Sequence, residues 1–452
     1  MENSTEKHAN KLLGILVVTL IFSVMNGTMF NVALPEISKE FSLLPSEVSW
    51  IMTSYMVVYA IGSVIMGKLA DKYRLKDILT IGLLVFAIGS IIGFFANDYW
   101  VIILGRIIQA AGASVLPATA MIIPIRYFPP EKRGRALGTS AVGLALGNAL
   151  GPLAAGVLTG IGSWRLMFIL SLLPLVTLPF FRKYIDNAKG QAGKIDLIGG
   201  VLLVGTVSLF LLAITQMKLS LAVIGIILLI LFIVHIRRVE NPFIMPSLFS
   251  NKRYSLGLTL AFLTTGMSFS LTFMTPQFLA SLNDLEPSTI GFILVPAALA
   301  SALMGKKGGK IADLKGNMML VFVASTLLFS AFFLLSTFVG QSIYINAAIL
   351  ILANVGQTFM QVSMSNTVSQ SLPKEATGVG MGLLSMINFI SGAMAMSIVG
   401  KLLDQGTTNL QFNLLNDNQH AFIYSNILLV MEGVILCVLA IYKWQLNSPI
   451  KK

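Results

Sequence analysis

The sequence predicts an all-α polytopic membrane protein with fourteen spanning helices arranged as six, two and six. Three observations carry that expectation. The 452 residues are 56% hydrophobic and only 11% charged, the charges fall in short breaks between long apolar runs, and the basic residues gather in alternate breaks. A soluble domain carries about 25% charged residues, so there is too little charge here to cover a water-facing surface. If about 20 apolar residues cross a bilayer and each connection takes about 10 more, a chain of this length holds roughly 15 spans. Little remains for a soluble domain.

The runs follow in order. Leu12 to Pro35, Val48 to Gly67 and Ile78 to Asn97 carry no charge; Tyr99 to Ile125 is interrupted only by Arg106; Ala136 to Trp164 is clean, and Leu166 to Phe181 is short but closes a sixth span. Leu197 to Met217 and Leu219 to Val234 form a pair divided by Lys218. Tyr254 to Asn283 and Pro287 to Gly305 come next. Gly316 to Leu372 is too long for one span and is expected to fold back at Gly340-Gln341-Ser342. Ala376 to Gly400 and Ala421 to Tyr442, the latter broken only by Glu432, complete the set. Residues 1–11 lead into a full-length apolar run without a small-residue cleavage site, so no cleavable signal peptide is expected.

Charge placement supplies the orientation. Lys39, Arg165, Lys218 and Lys401 fall on one side and Arg106 within a run, leaving 26 of the 31 basic residues on the amino-terminal side. The positive-inside rule then puts both termini in the cytoplasm. The net charge of +12 is thereby a topology signal, and nucleic acid is not an expected partner. Cys437 is the only cysteine, and His8, His235 and His420 are scattered. Disulfide, zinc and redox chemistry are not expected.

An internal repeat organises the chain. Gly67-Lys68-Leu69-Ala70-Asp71-Lys72 follows the second run, and Gly309-Lys310-Ile311-Ala312-Asp313 with Lys315 follows the tenth. The expected division is a six-helix half in residues 1–190, an inserted pair in 191–250 and a second half in 251–452. Both aspartates are expected on loops, where small residues let helices approach and a carboxylate can accept hydrogen bonds from free amides. An ordinary basic loop is the plainer reading of one copy. The fifth run carries Gly143, Gly147, Gly151 with Pro152, and Gly156, a stripe that admits another backbone.

These motifs carry a resemblance. Gly67 to Arg74 resembles the signature between helices 2 and 3 of the major facilitator superfamily, whose architecture is two six-helix halves. Gly143 to Gly156 is similar to the glycine-proline signature of its antiporters, with Ala155 where a second glycine is usual. Arg106, Gln109 and Gly112 resemble the helix 4 arginine motif, which the family associates with proton coupling. Asn31-Val32-Ala33-Leu34-Pro35 with Trp50 and Tyr55 resembles the drug:proton antiporter branch with fourteen spans, which includes Gram-positive tetracycline and multidrug exporters. The resemblance covers nearly the whole chain and departs from the branch in one respect: Asn26 stands where many members have an aspartate, and Gly27 where tetracycline exporters can have a glutamate.

The resemblance implies proton-coupled efflux of lipophilic or cationic drugs by alternating access, in a monomer of the bacterial cytoplasmic membrane. No cofactor is expected, because the proton gradient drives transport; the partners are drug-like molecules, protons and the bilayer. Asp71, Arg74, Asp313, Gly147, Gly151 and Pro152 are the expected gating residues. Exchange of Na+ or K+ for protons is the alternative in the same class. An intramembrane enzyme or receptor is the alternative of another class, and an enzyme would need a cluster of catalytic groups that one buried glutamate cannot supply.

Proton coupling is expected from Arg106 and Glu432, the two charges within the runs. Arg106 lies about 10 Å along its helix at 1.5 Å per residue, within reach of the outer surface, although Gln109 on the same face argues for a polar lumen. Glu432 lies about 16 Å along the last helix, where desolvation favours the protonated form; a structural glutamate bonded to a neighbouring helix is the alternative. The expected substrate cavity comprises Asn26, Asn31, Tyr55, Gln109 and Asn148 in the first half. In the second it comprises Phe269, Phe273 and Gln277, the polar stripe Asn354, Gln357, Gln361 and Ser365, and Asn388. Interhelical hydrogen bonding is the plainer role for each amide.

Overall fold

A computed structural model describes residues 2–187, 196–373 and 377–446. Lys189, Lys194, Lys374, Lys451, Lys452, the start of the Ala376 run and the expected boundary at 190/191 lie outside the described residues. Among those described, fourteen helices are long and apolar enough to cross a membrane: α1 (His8–Glu40), α2 (Pro45–Ala70), α3 (Leu75–Phe94), α4 (Tyr99–Tyr127), α5 (Lys132–Ile161), α6 (Leu166–Tyr184), α7 (Leu197–Gln216), α8 (Leu219–Arg238), α9 (Lys252–Asn283), α10 (Pro287–Lys315), α11 (Asn317–Phe338), α12 (Ile343–Gln370), α13 (Thr377–Leu403) and α14 (Gln419–Trp444). The expected fold class is the observed one. The long uncharged run turns between Phe338 and Ile343, where Gly340 has φ 81°.

Helices outrun the apolar stretches that announced them. The α2 helix continues through Asp71 to Lys72, and Asp313 lies inside α10, which ends at Lys315. The loop expectation for these two aspartates is therefore corrected. A charge ends burial in hydrocarbon, but the backbone ladder needs no apolar side chain, and lysine is a good helix former. After α10 the turn is a single residue, Gly316, at φ 83° and ψ 156°, a region essentially restricted to glycine. Two expected spans are also less regular than single rods. α4 breaks at Ser114 between Tyr99–Ala113 and Val115–Tyr127. α6 consists of Leu166–Leu170, Leu173–Val176 and Leu178–Tyr184; Pro174 and Pro179 sit in the first turns of the later pieces, where a missing N–H is tolerated.

The chain forms two compact units, residues 1–33 with 50–245, and residues 34–49 with 246–452. In the first, α5 lays its glycine stripe on α1, while α7 packs on α2 and α8 packs on α7. Asp196 caps α7 through the Gly199 N–H at 2.8 Å, accepts the Phe243 N–H at 2.8 Å and lies 2.7 Å from His235 Nε2 of α8. Lys68 of α2 donates to the Pro242 carbonyl at 3.0 Å and lies over the Phe243 ring. α8 leaves Val223, Ile224, Ile226, Ile227, Ile230 and Leu231 exposed, the composition of a helix that faces lipid.

In the second unit α9 packs on α13 and α11 packs on both α12 and α14. Hydrogen bonds pin both ends of the α11–α14 pair: Ser336 with Ser425 at 2.8 Å, and Asn317 Nδ2 to the Tyr442 hydroxyl at 2.9 Å. The 34–49 segment is tied to α13 by the Ser46 N–H, which donates to Asp404 at 2.9 Å; Asp404 also pairs with Lys401 at 3.2 Å.

Candidate functional site

The most concentrated polar group in the first unit forms around Arg106 of α4, which is 0% exposed. The guanidinium donates from Nη1 to Asn26 Oδ1 of α1 at 2.8 Å and to Gln109 Oε1 at 2.9 Å, and from Nε to the Ile51 carbonyl of α2 at 3.2 Å. The rings of Phe30 and Tyr55 lie against it, their centroids 4.4 Å and 4.1 Å from the guanidinium carbon. Reaching the outer surface, one of the two roles the sequence left open for Arg106, is excluded in this conformation. Aromatic faces are attractive to a desolvated cation, and they hold this one inside the unit.

The sequence positions these groups simply. Asn26 and Phe30 are four residues apart on α1, and Arg106 and Gln109 three apart on α4, so each pair shares a helix face. Gly89 brings α3 onto α4, since a Cβ there would lie 2.4 Å from Gln109 N. Gln109 Nε2 then reaches Ser90 Oγ at 2.8 Å. Asn26 Nδ2 donates to Ser171 Oγ of α6, which donates on to the Met167 carbonyl at 2.7 Å. The result is a chain of polar groups across α6, α1, α4 and α3. Phe30, Ser90 and Ser171 were missed in the sequence; only the i,i+4 spacing of Phe30 from Asn26 offered a signal.

The remaining expected residues divide into separate groups. Tyr55 joins the Arg106 site and also stacks on Tyr59, centroids 5.8 Å apart. Asn31 is buried with no hydrogen-bond partner for Oδ1, and Asn148 is exposed. On the α9–α13 seam, Thr265 Oγ1 donates to Asn388 Oδ1 at 3.1 Å, Phe269 lies 6.5 Å from Phe389, and Phe273 and Gln277 are buried. On α12, Asn354 donates back to the Leu350 carbonyl at 2.9 Å, the Gln357 amide nitrogen has no hydrogen-bond partner, Gln361 is exposed and Ser365 half-buried. Arg74 precedes α3 and is exposed, as is Asp313; the Asp71 side chain lies outside what is described.

Glu432 is 8% exposed. It lies seven residues from Ser425, hence on the same face of α14, toward α11. Another face of α14 lines an apolar cleft of about 440 Å³ with Gly266 and Met267 of α9 and Ser391 and Met394 of α13; Val430 is among its walls. Glu432 is two positions beyond Val430, about 200° around the helix, and is not among the walls of the cleft. None of the cavity residues expected from the sequence lines it.

The description of the Major Facilitator Superfamily matches residues 16–396. The chain belongs to that superfamily. Its relatives include the riboflavin transporter RibZ of Clostridioides difficile (strain 630), 26% identical over 449 residues that cover 94% of this chain and 96% of that one. Multidrug resistance protein 3 of Bacillus subtilis (strain 168) is 30% identical over 325 residues, 68% of this chain and 63% of that one. Among solved structures, the nucleoside transporter NupG superposes with a TM-score of 0.68 at 12% identity, covering 98% of this chain and all of that one. A bacterial homologue of the human lysosomal transporter Spinster, inward-facing and occupied, gives 0.68 at 13% identity over 97% of both chains. These structures support the fold. As a member of the Major Facilitator Superfamily the protein is a multi-pass membrane transporter of small molecules.

Proposed function

We propose that this transporter exports lipophilic, drug-like molecules in exchange for protons by alternating access, as a monomer in the bacterial plasma membrane with both termini in the cytoplasm. The observation that carries the reading is the fully buried Arg106, held from three helices. A charge inside a span costs about 2.5–3.5 kcal/mol even on the milder insertion scales and marks a transport or proton pathway by default. Arg106 supplies the fixed positive field and Glu432 carries the proton. The gating roles go to Asp71, Arg74 and Asp313 and to the Gly147, Gly151 and Pro152 stripe, and the polar residues of α12 belong to the cargo wall. One relative is named for riboflavin and another for resistance to multiple drugs, which favours organic cargo over Na+ or K+. The test uses everted vesicles with an imposed proton gradient. Drug-like molecules are expected to collapse the gradient; collapse by Na+ or K+ alone would overturn the reading.

A further inference from the structure

We infer that Arg106 Nη2 is the docking point for an anionic acceptor, either an ionised group on the cargo or a free monovalent anion such as chloride. The inference rests on the export reading for its cargo and on the Arg106 geometry for its chemistry. A guanidinium has five N–H donors and no acceptor. Nε and Nη1 are bonded to Ile51, Asn26 and Gln109, whereas Nη2 is buried with no hydrogen-bond partner. The acceptors of these hydrogen bonds are all neutral, and the carboxylates of Asp186, Asp196 and Asp404 pair with other bases.

Geometry narrows the ligand further. Phe30 and Tyr55 lie against the guanidinium and its other donors are bonded, so a further partner meets it at Nη2. The two N–H groups of Nη2 are charge-assisted donors and suit one acceptor oxygen of a carboxylate or similar oxyanion, or a halide ion. Leaving a buried charge without a counter-charge is strongly unfavourable. Position 26, one 2.8 Å hydrogen bond away, holds an amide, so the chain supplies the shape of a carboxylate there without its charge. The missing charge comes from outside the chain.

The test is direct binding to the full-length protein in lipid nanodiscs, with no gradient. Naphthoate and naphthamide share a ring system and differ in charge; each is measured by equilibrium dialysis, with chloride exchanged for gluconate at constant ionic strength in a parallel thermal-unfolding series. Naphthoate is expected to bind roughly tenfold more tightly than naphthamide, or chloride to raise the unfolding temperature. Naphthoate preference with competition by chloride assigns the site to the cargo's ionised group; a chloride shift without that preference assigns it to the free ion. Asn26→Asp supplies an internal carboxylate and Arg106→Gln removes the cation, so either should abolish the response. Equal affinities with no chloride shift in the wild type overturn the inference whatever the folding of the variants, and so does an undiminished response in folded Asn26→Asp. No anion response in a protein that still exchanges drug for protons rejects this site alone; a response in a protein that exchanges nothing rejects the export reading alone.

Discussion

Gly147→Ala is expected to destabilise the first unit far more than Gly138→Ala on the same helix. A Cβ at Gly147 would stand 2.7 Å from the Ile21 carbonyl oxygen and 2.8 Å from Val24 Cβ of α1. Carbon–oxygen contacts settle near 3.4 Å, so α1 and α5 must part by about 0.7 Å. Close packing is what holds helices together in lipid, and overpacking of this kind costs about 1–3 kcal/mol. At Gly143 the nearest atom, the Val17 carbonyl oxygen, would lie 3.2 Å away, which predicts an effect at or below the bottom of that range. Gly134 and Gly138 have nothing within 4 Å, and alanine there should be neutral or gain up to about 1 kcal/mol of helix propensity. Gly151 differs in kind, because its Cβ would meet a side chain, the Oγ1 of Thr28 and its Cβ, the latter 2.9 Å away. Only removal of both Thr28 atoms, as in Thr28→Gly, should therefore relieve Gly151→Ala, while no truncation at position 21 can rescue Gly147→Ala. Thermal unfolding of the detergent-solubilised variants, arranged as a double-mutant cycle, reads both effects. Equal damage from Gly138→Ala and Gly147→Ala, or failure of Thr28→Gly to relieve Gly151→Ala, would refute the packing argument.

Three further outcomes are expected. Glu432→Gln should abolish proton-coupled export and preserve cargo binding, Arg106→Ala should weaken coupling, and Arg106→Lys should retain part of it; export against a gradient at the wild-type rate by Glu432→Gln would move the proton to Glu47, Asp404, Asp71 or Asp313. In a Cys437→Ser background, Gln357→Cys, Gln361→Cys and Ser365→Cys should react with a water-soluble thiol reagent and Phe359→Cys and Ser363→Cys should not; equal labelling would remove the α12 stripe from the cargo wall. Asp196→Asn should loosen α7 and α8 by about 1–3 kcal/mol, the penalty for weakening a buried hydrogen-bond network, read as faster proteolysis near residue 240. Burial pushes the Asp196 carboxyl up, but the Gly199 N–H, His235 and the Phe243 N–H outweigh it and hold the group below its ordinary value. Its stabilisation is accordingly in force above about pH 4 and lost as pH falls through the lower folded value; stability that is unchanged by acid would refute this assignment.

The number of spans, the turn at Gly340 and the presence of two buried charges were legible in the sequence because hydrocarbon excludes charge, and that exclusion acts on each segment separately. The α5 stripe was legible for the same local reason: glycines four apart must lie on one face. What the stripe touches, Val17, Ile21 and Thr28 of α1, was not, since lipid leaves every apolar face equally acceptable until another helix meets it. The same holds for Arg106. Its helix and depth follow from its place in a run, but its enclosure by Phe30, Tyr55 and Asn26 depends on how α1, α2 and α4 cross, separated by up to 80 residues of chain. Helix ends were misread at Asp71 and Asp313 because hydropathy reports the edge of the bilayer, whereas hydrogen bonding along the backbone decides where a helix stops. Sequence thus determined which segments must be buried in membrane, through a solvation rule that needs no neighbour. Only tertiary structure decided which polar groups satisfy one another, because a hydrogen bond acts over about 3 Å and its partner comes from another helix.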